Sequence, residues 1–180
     1  MKALITLHNH VFDALERGLG NWFLPTLARF SFAAVLLVYY WNSASGKHEG
    51  SLFTPSFGAY SQIFPKTLDA FGWDISQFGL FHKTVIVGAT FAEYLLPLLI
   101  LVGLFARLAA LGMIGFITVQ SLTDLYGHGL VNDPTTVGSW FDHLSNGLIM
   151  DQRTMWIAVL LILVAKGAGP LSIDRLTKTR

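Results

Sequence analysis

Residues 84–104 read TVIVGATFAEYLLPLLILVGL, Thr84 to Leu104, and are followed by Phe105-Ala106-Arg107 before a second apolar stretch opens at Leu108. At about 1.5 Å per residue, a run of that length crosses a hydrocarbon layer of about 30 Å, so it reads as a membrane-spanning helix. Glu93 interrupts it about 14 Å from either end. A carboxylate at that depth is costly unless it is paired, protonated or wetted, which makes Glu93 the first residue to explain. The few residues before Leu108 turn the chain straight back, so two spans form a tight antiparallel hairpin.

Working outward, the pattern predicts four spans, at about 23–41, 84–104, 108–125 and 154–170. The first has Pro25 in its opening turn and Tyr39, Tyr40 and Trp41 at its far end, where aromatic side chains favour the headgroup layer. The last closes on Lys166-Gly167-Ala168-Gly169-Pro170, which continues a helix poorly. Residues 42–83 are polar and Gly/Ser-rich with Pro55 and Pro65, and read as a long extramembrane loop with a short helix within 66–80; residues 126–153 form a second loop. Ahead of the spans, Leu4, Leu7, Val11, Leu15 and Leu19 recur at three- and four-residue intervals, with Asn9, Asp13, Glu16 and Arg17 on other faces, as in a helix lying on the membrane surface. The predicted fold class is all-α: an integral membrane four-helix bundle with an N-terminal interfacial amphipathic helix, one domain over residues 1–180.

Composition excludes several classes. Apolar residues make up 53% of the chain against 13% charged, far from the balance of a soluble domain. A net charge of +1 without clustered Lys or Arg gives no nucleic-acid groove. Cysteine is absent, which removes disulfides, thiolate metal sites and covalent haem attachment. The N-terminus has no cleavage-like small-residue site and does not read as a signal peptide.

Four spans put both termini on one side of the membrane. That side carries Lys2, Arg17, Arg107, Arg175, Lys178 and Arg180, with Arg29 and Lys166 near its edge, against Lys47, Lys66, Lys83 and Arg153 on the loop side. The bias predicts cytoplasmic termini in a bacterial inner membrane, with both loops periplasmic.

Idealised straight helices assign depths to the polar groups. Arg29 falls about 9 Å above the terminal-side boundary, Glu93 about 16 Å, Gln120 about 18 Å and Lys166 about 12 Å. Arg29, Glu93, Gln120 and Lys166 are therefore a candidate intramembrane site, with Arg29 within reach of Glu93; the group reads either as a structural ion pair or as a site for a quinone head group, a proton or an ion. A second set, Asp124, His128, Asp142 and His143, offers imidazole and carboxylate suited to zinc or copper, with His48 and His82 as further donors, although no HxxxH or HxH pair occurs in the loops. Gly112 and Gly115, with Ala109 and Ala110, suggest close helix approach. Gly127-His128-Gly129 and Gly167-Ala168-Gly169 do not lie between a strand and a helix and are not nucleotide loops.

Ala92-Glu93-Tyr94-Leu95-Leu96-Pro97, followed by Val102-Gly103-Leu104-Phe105-Ala106-Arg107-Leu108-Ala109-Ala110, resembles the central signature of the DoxX family of small four-span bacterial membrane proteins. Leu27-Ala28-Arg29 and the tail Gly167-Ala168-Gly169-Pro170-Leu171-Ser172-Ile173-Asp174 are similar to other family features, and Asp151-Gln152-Arg153 resembles a subgroup with a long third loop. The resemblance covers roughly residues 22–41, 84–125 and 144–176. The family commonly places a Gly and a Lys close to the end of the first span; here Tyr39-Tyr40-Trp41 intervene and Gly46-Lys47 falls later, so the role of that Lys is not carried onto Lys47. Matching positions are Arg29, Glu93, Arg107 and Asp174.

The resemblance implies links with thiosulfate:quinone oxidoreductase, with membrane complexes that handle oxidative or thiol stress, and with gene neighbourhoods for metal-binding ribosomal peptides. The expected function is a membrane subunit of a quinone-linked redox complex, with a non-covalent quinone as cofactor and a protein partner or a second copy beside it in the bilayer. The alternative is a non-enzymatic anchor or small transport component whose loops dock a partner protein or a metal.

Overall fold

The computed structural model describes residues 1–177; Lys178 and Arg180, counted above on the terminal side, lie outside the described residues. In chain order the elements are α1 (Lys2–Leu19), α2 (Phe23–Ser45), β1 (His48–Glu49), β2 (Ser51–Pro55), α3 (Phe57–Ile63), α4 (Pro65–Ala70), α5 (Leu80–Val102), α6 (Ala106–Gly127), α7 (Pro134–Val137), α8 (Leu148–Lys166) and α9 (Ile173–Leu176). Helices α2, α5, α6 and α8 are long and apolar enough to cross a membrane. The chain is a multi-pass membrane protein of the all-α class, and β1–β2, a short antiparallel hairpin turning at Gly50, is a local departure from it.

The four spans close into a ring in which α2 packs on α5 and α8, and α6 packs on the same two helices from the other side. The core is a stripe on α2, Ala28, Phe32, Leu36 and Tyr40, set against Ile100 of α5, Ala109, Ala110, Met113 and Ile117 of α6, and Leu160 and Leu163 of α8. Residues four apart on an α-helix drift by about 40° per step. A wider π turn at Ala33–Leu37 takes up that drift, so Leu36 and Tyr40 stay on the face that Ala28 and Phe32 begin. In lipid there is little hydrophobic force between helices, so close packing of small residues matters: Ala109 and Ala110 are buried, and a Cβ on Gly112 would meet Leu96 Cδ2 at 3.1 Å. Gly115, expected to share that role, has nothing within 4 Å of such a Cβ.

Span boundaries differ from the hydropathy reading in instructive ways. Helix α2 runs on through Asn42-Ser43-Ala44-Ser45, four residues past Trp41, because hydropathy marks where lipid ends rather than where helix ends. Helix α8 begins early, in a π turn at Leu148–Arg153, and stops at Lys166 because Gly167 takes φ +78°. Residues 46–79, most of the segment read as a long loop, fold into a cap, and the short helix expected within 66–80 is α4. Ala59, Tyr60, Leu68 and Phe78 pack on Ile86 of α5, and Ser56 caps α3, accepting the Ala59 N–H while donating its hydroxyl to Gly46 O at 2.7 Å. Helix α1 is formed as expected, and none of its residues is buried.

Candidate functional site

Glu93 is 2% exposed, and its partner is Lys47. The Lys47 ammonium lies 2.8 Å from Glu93 Oε2 and 3.0 Å from Oε1, and is itself 3% exposed. Ser43 completes the group, with its Oγ 3.1 Å from Glu93 Oε1 and 2.6 Å from Lys47 Nζ. The extension of α2 beyond Trp41 creates this site. It carries Ser43 to the level of Glu93, and the start of the hairpin folds Lys47 back over it: Lys47 N–H donates to Ala44 O at 3.0 Å, and Ser56 N–H donates to Lys47 O at 2.9 Å. Both carboxylate oxygens are engaged, so the charge is compensated within the protein, as burial demands.

An aromatic face lies directly outside the pair. Tyr94, next to Glu93, bonds His48 Nε2 through its hydroxyl at 3.2 Å, and Trp41 Nε1 donates to Tyr94 O at 3.1 Å. Phe53 and Phe91 lie beside them with ring centroids 5.6 Å apart and planes tilted by 50°, and Trp41, Phe53 and Phe91 are exposed on the outer surface. The His48 Nδ1 is buried and has no hydrogen-bond partner.

A second ion pair, between a buried arginine and a half-buried carboxylate, spans α6 and α8. Arg153, 2% exposed, lies 2.6 Å from Asp124 Oδ2 and donates to Ser121 Oγ at 2.9 Å. Tyr40 stands between the two pairs, within electrostatic range of Glu93 and Arg153, and its hydroxyl meets Gln120 Oε1 at 3.4 Å. Gln120 Nε2 in turn donates to Tyr39 Oη at 3.3 Å. The loop-side half of the bundle thus holds a polar layer in which each of the four spans contributes a charged or hydrogen-bonding group.

The grouping of Arg29, Glu93, Gln120 and Lys166 is corrected by this geometry. Arg29 does not reach Glu93: its Nε donates to Ile100 O and its Nη1 to Ala168 O, each at 3.0 Å, with further short bonds to Leu101 O and Leu171 O. Ile100 is two helical turns, about 10 Å, from Glu93 along α5. The exposed carbonyls at the end of α5 and in the tail satisfy the guanidinium without a carboxylate, as the negative end of a helix favours. Gln120 bonds tyrosines rather than Glu93, and Lys166 is exposed at the opposite end of the bundle. Lys47, left outside the candidate site by the sequence, is the cation whose ammonium reaches Glu93. Lys47 lies two residues past the end of α2, in the turn that leads into β1, so helical spacing from Ser43 does not place it.

The metal candidates are not brought together. Asp124 is held by Arg153, His128 Nε2 lies 3.0 Å from Gln62 O, Asp142 accepts the Leu144 N–H at 2.9 Å, and His143 is exposed. His48 bonds Tyr94, and His82 packs edge-on against Phe64, Phe78 and Phe81. Among the described residues no three His, Cys, Asp or Glu side chains form a group that could hold a metal.

The tail motif has a structural meaning. Asp174 accepts the Phe105 N–H at 2.7 Å and the Ala106 N–H at 2.9 Å, capping the start of α6, while its own N–H donates to Gly103 O at 2.8 Å. Gly103 ends α5 at φ +68°, and a Cβ there would meet Ser172 Cβ at 2.6 Å and Arg29 Cζ at 2.9 Å. Arg29, Gly103 and Asp174 therefore lock the tail under the α5–α6 turn. Arg107, the remaining matching position, is exposed and donates to Ala165 O at 3.4 Å.

A model of the DoxX family matches residues 24–123, which include α2, the folded cap, α5 and most of α6; the tail resemblance lies beyond the matched range. No curated protein and no solved structure matches the chain. With more than half of its length matched, and with Arg29, Glu93 and Arg107 inside the match, the chain belongs to the DoxX family.

Proposed function

We propose that this protein is an inner-membrane subunit of a quinone-linked redox complex, with cytoplasmic termini and periplasmic loops. The observation that carries the reading is a buried acid–base pair, Lys47 with Glu93, set directly behind an outward-facing aromatic surface that bears the Tyr94–His48 hydrogen bond. A quinone head group needs a flat apolar wall, hydrogen-bond donors at its oxygens and protons on reduction. Trp41, Phe91 and Tyr94 offer the wall, and the Tyr94 hydroxyl, when His48 Nε2–H donates to its oxygen, has its own proton free as a donor.

When bound, a quinone supplies the redox chemistry, taking two electrons and two protons to become a quinol. The chain has no thiol to donate electrons, so a partner subunit delivers them. This protein's own residues orient the head group and hold a proton. Tyr94 presents the donor, with His48 orienting its hydroxyl, and the Lys47 ammonium, 2.8 Å from Glu93 and 2.6 Å from Ser43 Oγ, keeps a transferable proton one layer deeper.

The test is quinone extraction from protein purified out of native membranes. Wild type is expected to retain quinone near stoichiometry and Glu93→Gln, which preserves volume and one acceptor, to lose most of it while remaining folded. Quinone at the level of the surrounding lipid in both proteins would count decisively against the reading.

One observation favours a second reading, a membrane anchor that docks a partner through its loops. Trp140 and Phe141 stand 55% and 103% exposed between α7 and α8, and Phe141 sits at φ +65°, an unusual presentation for a large apolar side chain. Replacing both by Ser would then abolish partner association without affecting quinone content.

A further inference from the structure

The terminal end of the bundle holds a cleft of about 740 Å³ that the Lys47–Glu93 site does not touch. It opens between the first turn of α6, the last turn of α8 and the tail, and lies within the size range of small-ligand sites, about 300–1,000 Å³. Arg107, Lys166 and Arg175 line it from these three elements in turn, so the cations are far apart in sequence and gathered only by the fold.

Their charge is not neutralised within the protein. Among the described residues none of the three makes an ion pair, since the two ion pairs are Lys47–Glu93 and Arg153–Asp124. The one carboxylate in the lining, Asp174, has each oxygen committed to an N–H at the start of α6. Three cations against one carboxylate leave the lining at +2. One edge of the cleft is apolar: Phe105 and Leu108 are 50% and 68% exposed at the same level.

We propose that this cleft binds a phosphate-bearing anion at the membrane surface. Arg107 and Arg175 offer planar forks that match phosphate oxygens in pairs, and Lys166 adds a mobile point charge. Basic pockets between spans at a membrane boundary suit anionic headgroups, whose chains here would follow Leu108 and Phe105; a soluble phosphate ester presents the same oxygens. The proposal is independent of the quinone reading.

Native mass spectrometry of the full detergent-solubilised chain, titrated with phosphatidylglycerol, phosphatidylcholine or inorganic phosphate, tests it. Wild type is expected to retain phosphatidylglycerol about tenfold or more over phosphatidylcholine, with the preference shrinking as salt rises. Displacement by inorganic phosphate identifies a site for soluble phosphates as well, whereas resistance to displacement identifies the lipid headgroup as the ligand. Lys166 and Arg175 use no side-chain hydrogen bond among the described residues, so Lys166→Gln with Arg175→Gln leaves the fold's contacts intact. That variant is expected to bind the two lipids equally, while Lys166→Arg and the distant loop variant Lys66→Gln keep the preference. Equal retention of both lipids by wild type, or an undiminished preference in the Lys166→Gln/Arg175→Gln variant, would overturn the proposal.

Discussion

Removing either member of the Lys47–Glu93 pair leaves the other charged group almost fully enclosed, at 2–3% exposure, with no alternative counter-ion among its hydrogen-bond partners. Breaking a buried pair from one side costs about 3–5 kcal/mol, whereas replacing both members by apolar residues of similar volume is close to neutral. For a domain of this size each kcal/mol moves the midpoint by about 2–4 °C, so Lys47→Met or Glu93→Met is expected to lower Tm by roughly 6–20 °C. The double variant Lys47→Met/Glu93→Met should lose less than either single one. Thermal unfolding of the four proteins in one detergent, read as a double-mutant cycle, measures the coupling. A parallel cycle with Arg29→Met and Glu93→Met should be additive to within about 0.5 kcal/mol, since Arg29 bonds only carbonyls. Additive losses for Lys47 with Glu93, or strong coupling of Glu93 to Arg29, would refute the pairing.

Other consequences follow from single contacts. Gly103→Ala forces a side chain into φ +68° and to within 2.6 Å of Ser172 Cβ, so a loss of about 2 kcal/mol or more is expected, with faster tryptic cleavage at Arg175 as the tail detaches. Asp124→Leu should cost about 3–5 kcal/mol by orphaning the buried Arg153, and Arg153→Met/Asp124→Leu should recover most of the lost Tm; no recovery would mean that the ion pair is not what holds α6 to α8 there. Hydrogen bonds from Thr136 and Thr135 hold the Asp133 carboxyl below its usual range. A depressed folded-state pKa contributes stability above the ordinary carboxylate pKa and loses it as pH falls through the folded value. Amide exchange at Thr136, whose N–H this carboxylate accepts at 2.9 Å, should therefore accelerate only in strongly acidic solution, and Asp133→Ala should exchange fast at every pH.

The spans were legible because lipid imposes a simple rule: about 20 apolar residues, bounded by Gly, Pro, aromatic or basic residues, make a helix of sufficient length. The tight turn at Gly103-Leu104-Phe105 was legible for the same reason. The candidate site was only half legible. Glu93 announced itself as a charge in an apolar run, but its partner did not, because Lys47 lies in a segment whose composition says loop and whose path depends on how far α2 outruns its apolar stretch. Depth arithmetic favours Arg29, the nearest cation within a span, but an arginine beside a helix end has another way to be satisfied: four backbone carbonyls from α5 and the tail. The same limit applies to Asp124, grouped by type with His128, Asp142 and His143, because α8, starting early at Leu148, brings Arg153 beside it.

The most direct measurement is a quinone titration into protein reconstituted in lipid, followed by intrinsic fluorescence. Trp41 lies 6.5 Å, centroid to centroid, from Tyr94, so a head group docked on that face must quench it. Saturable quenching is predicted, abolished in Trp41→Phe and weakened at least about tenfold in affinity by Tyr94→Phe or Glu93→Gln, with the stability of Tyr94→Phe nearly unchanged. Quenching that rises linearly without saturation, or that is indifferent to Tyr94 and Glu93, would contradict a quinone site at the Lys47–Glu93 layer.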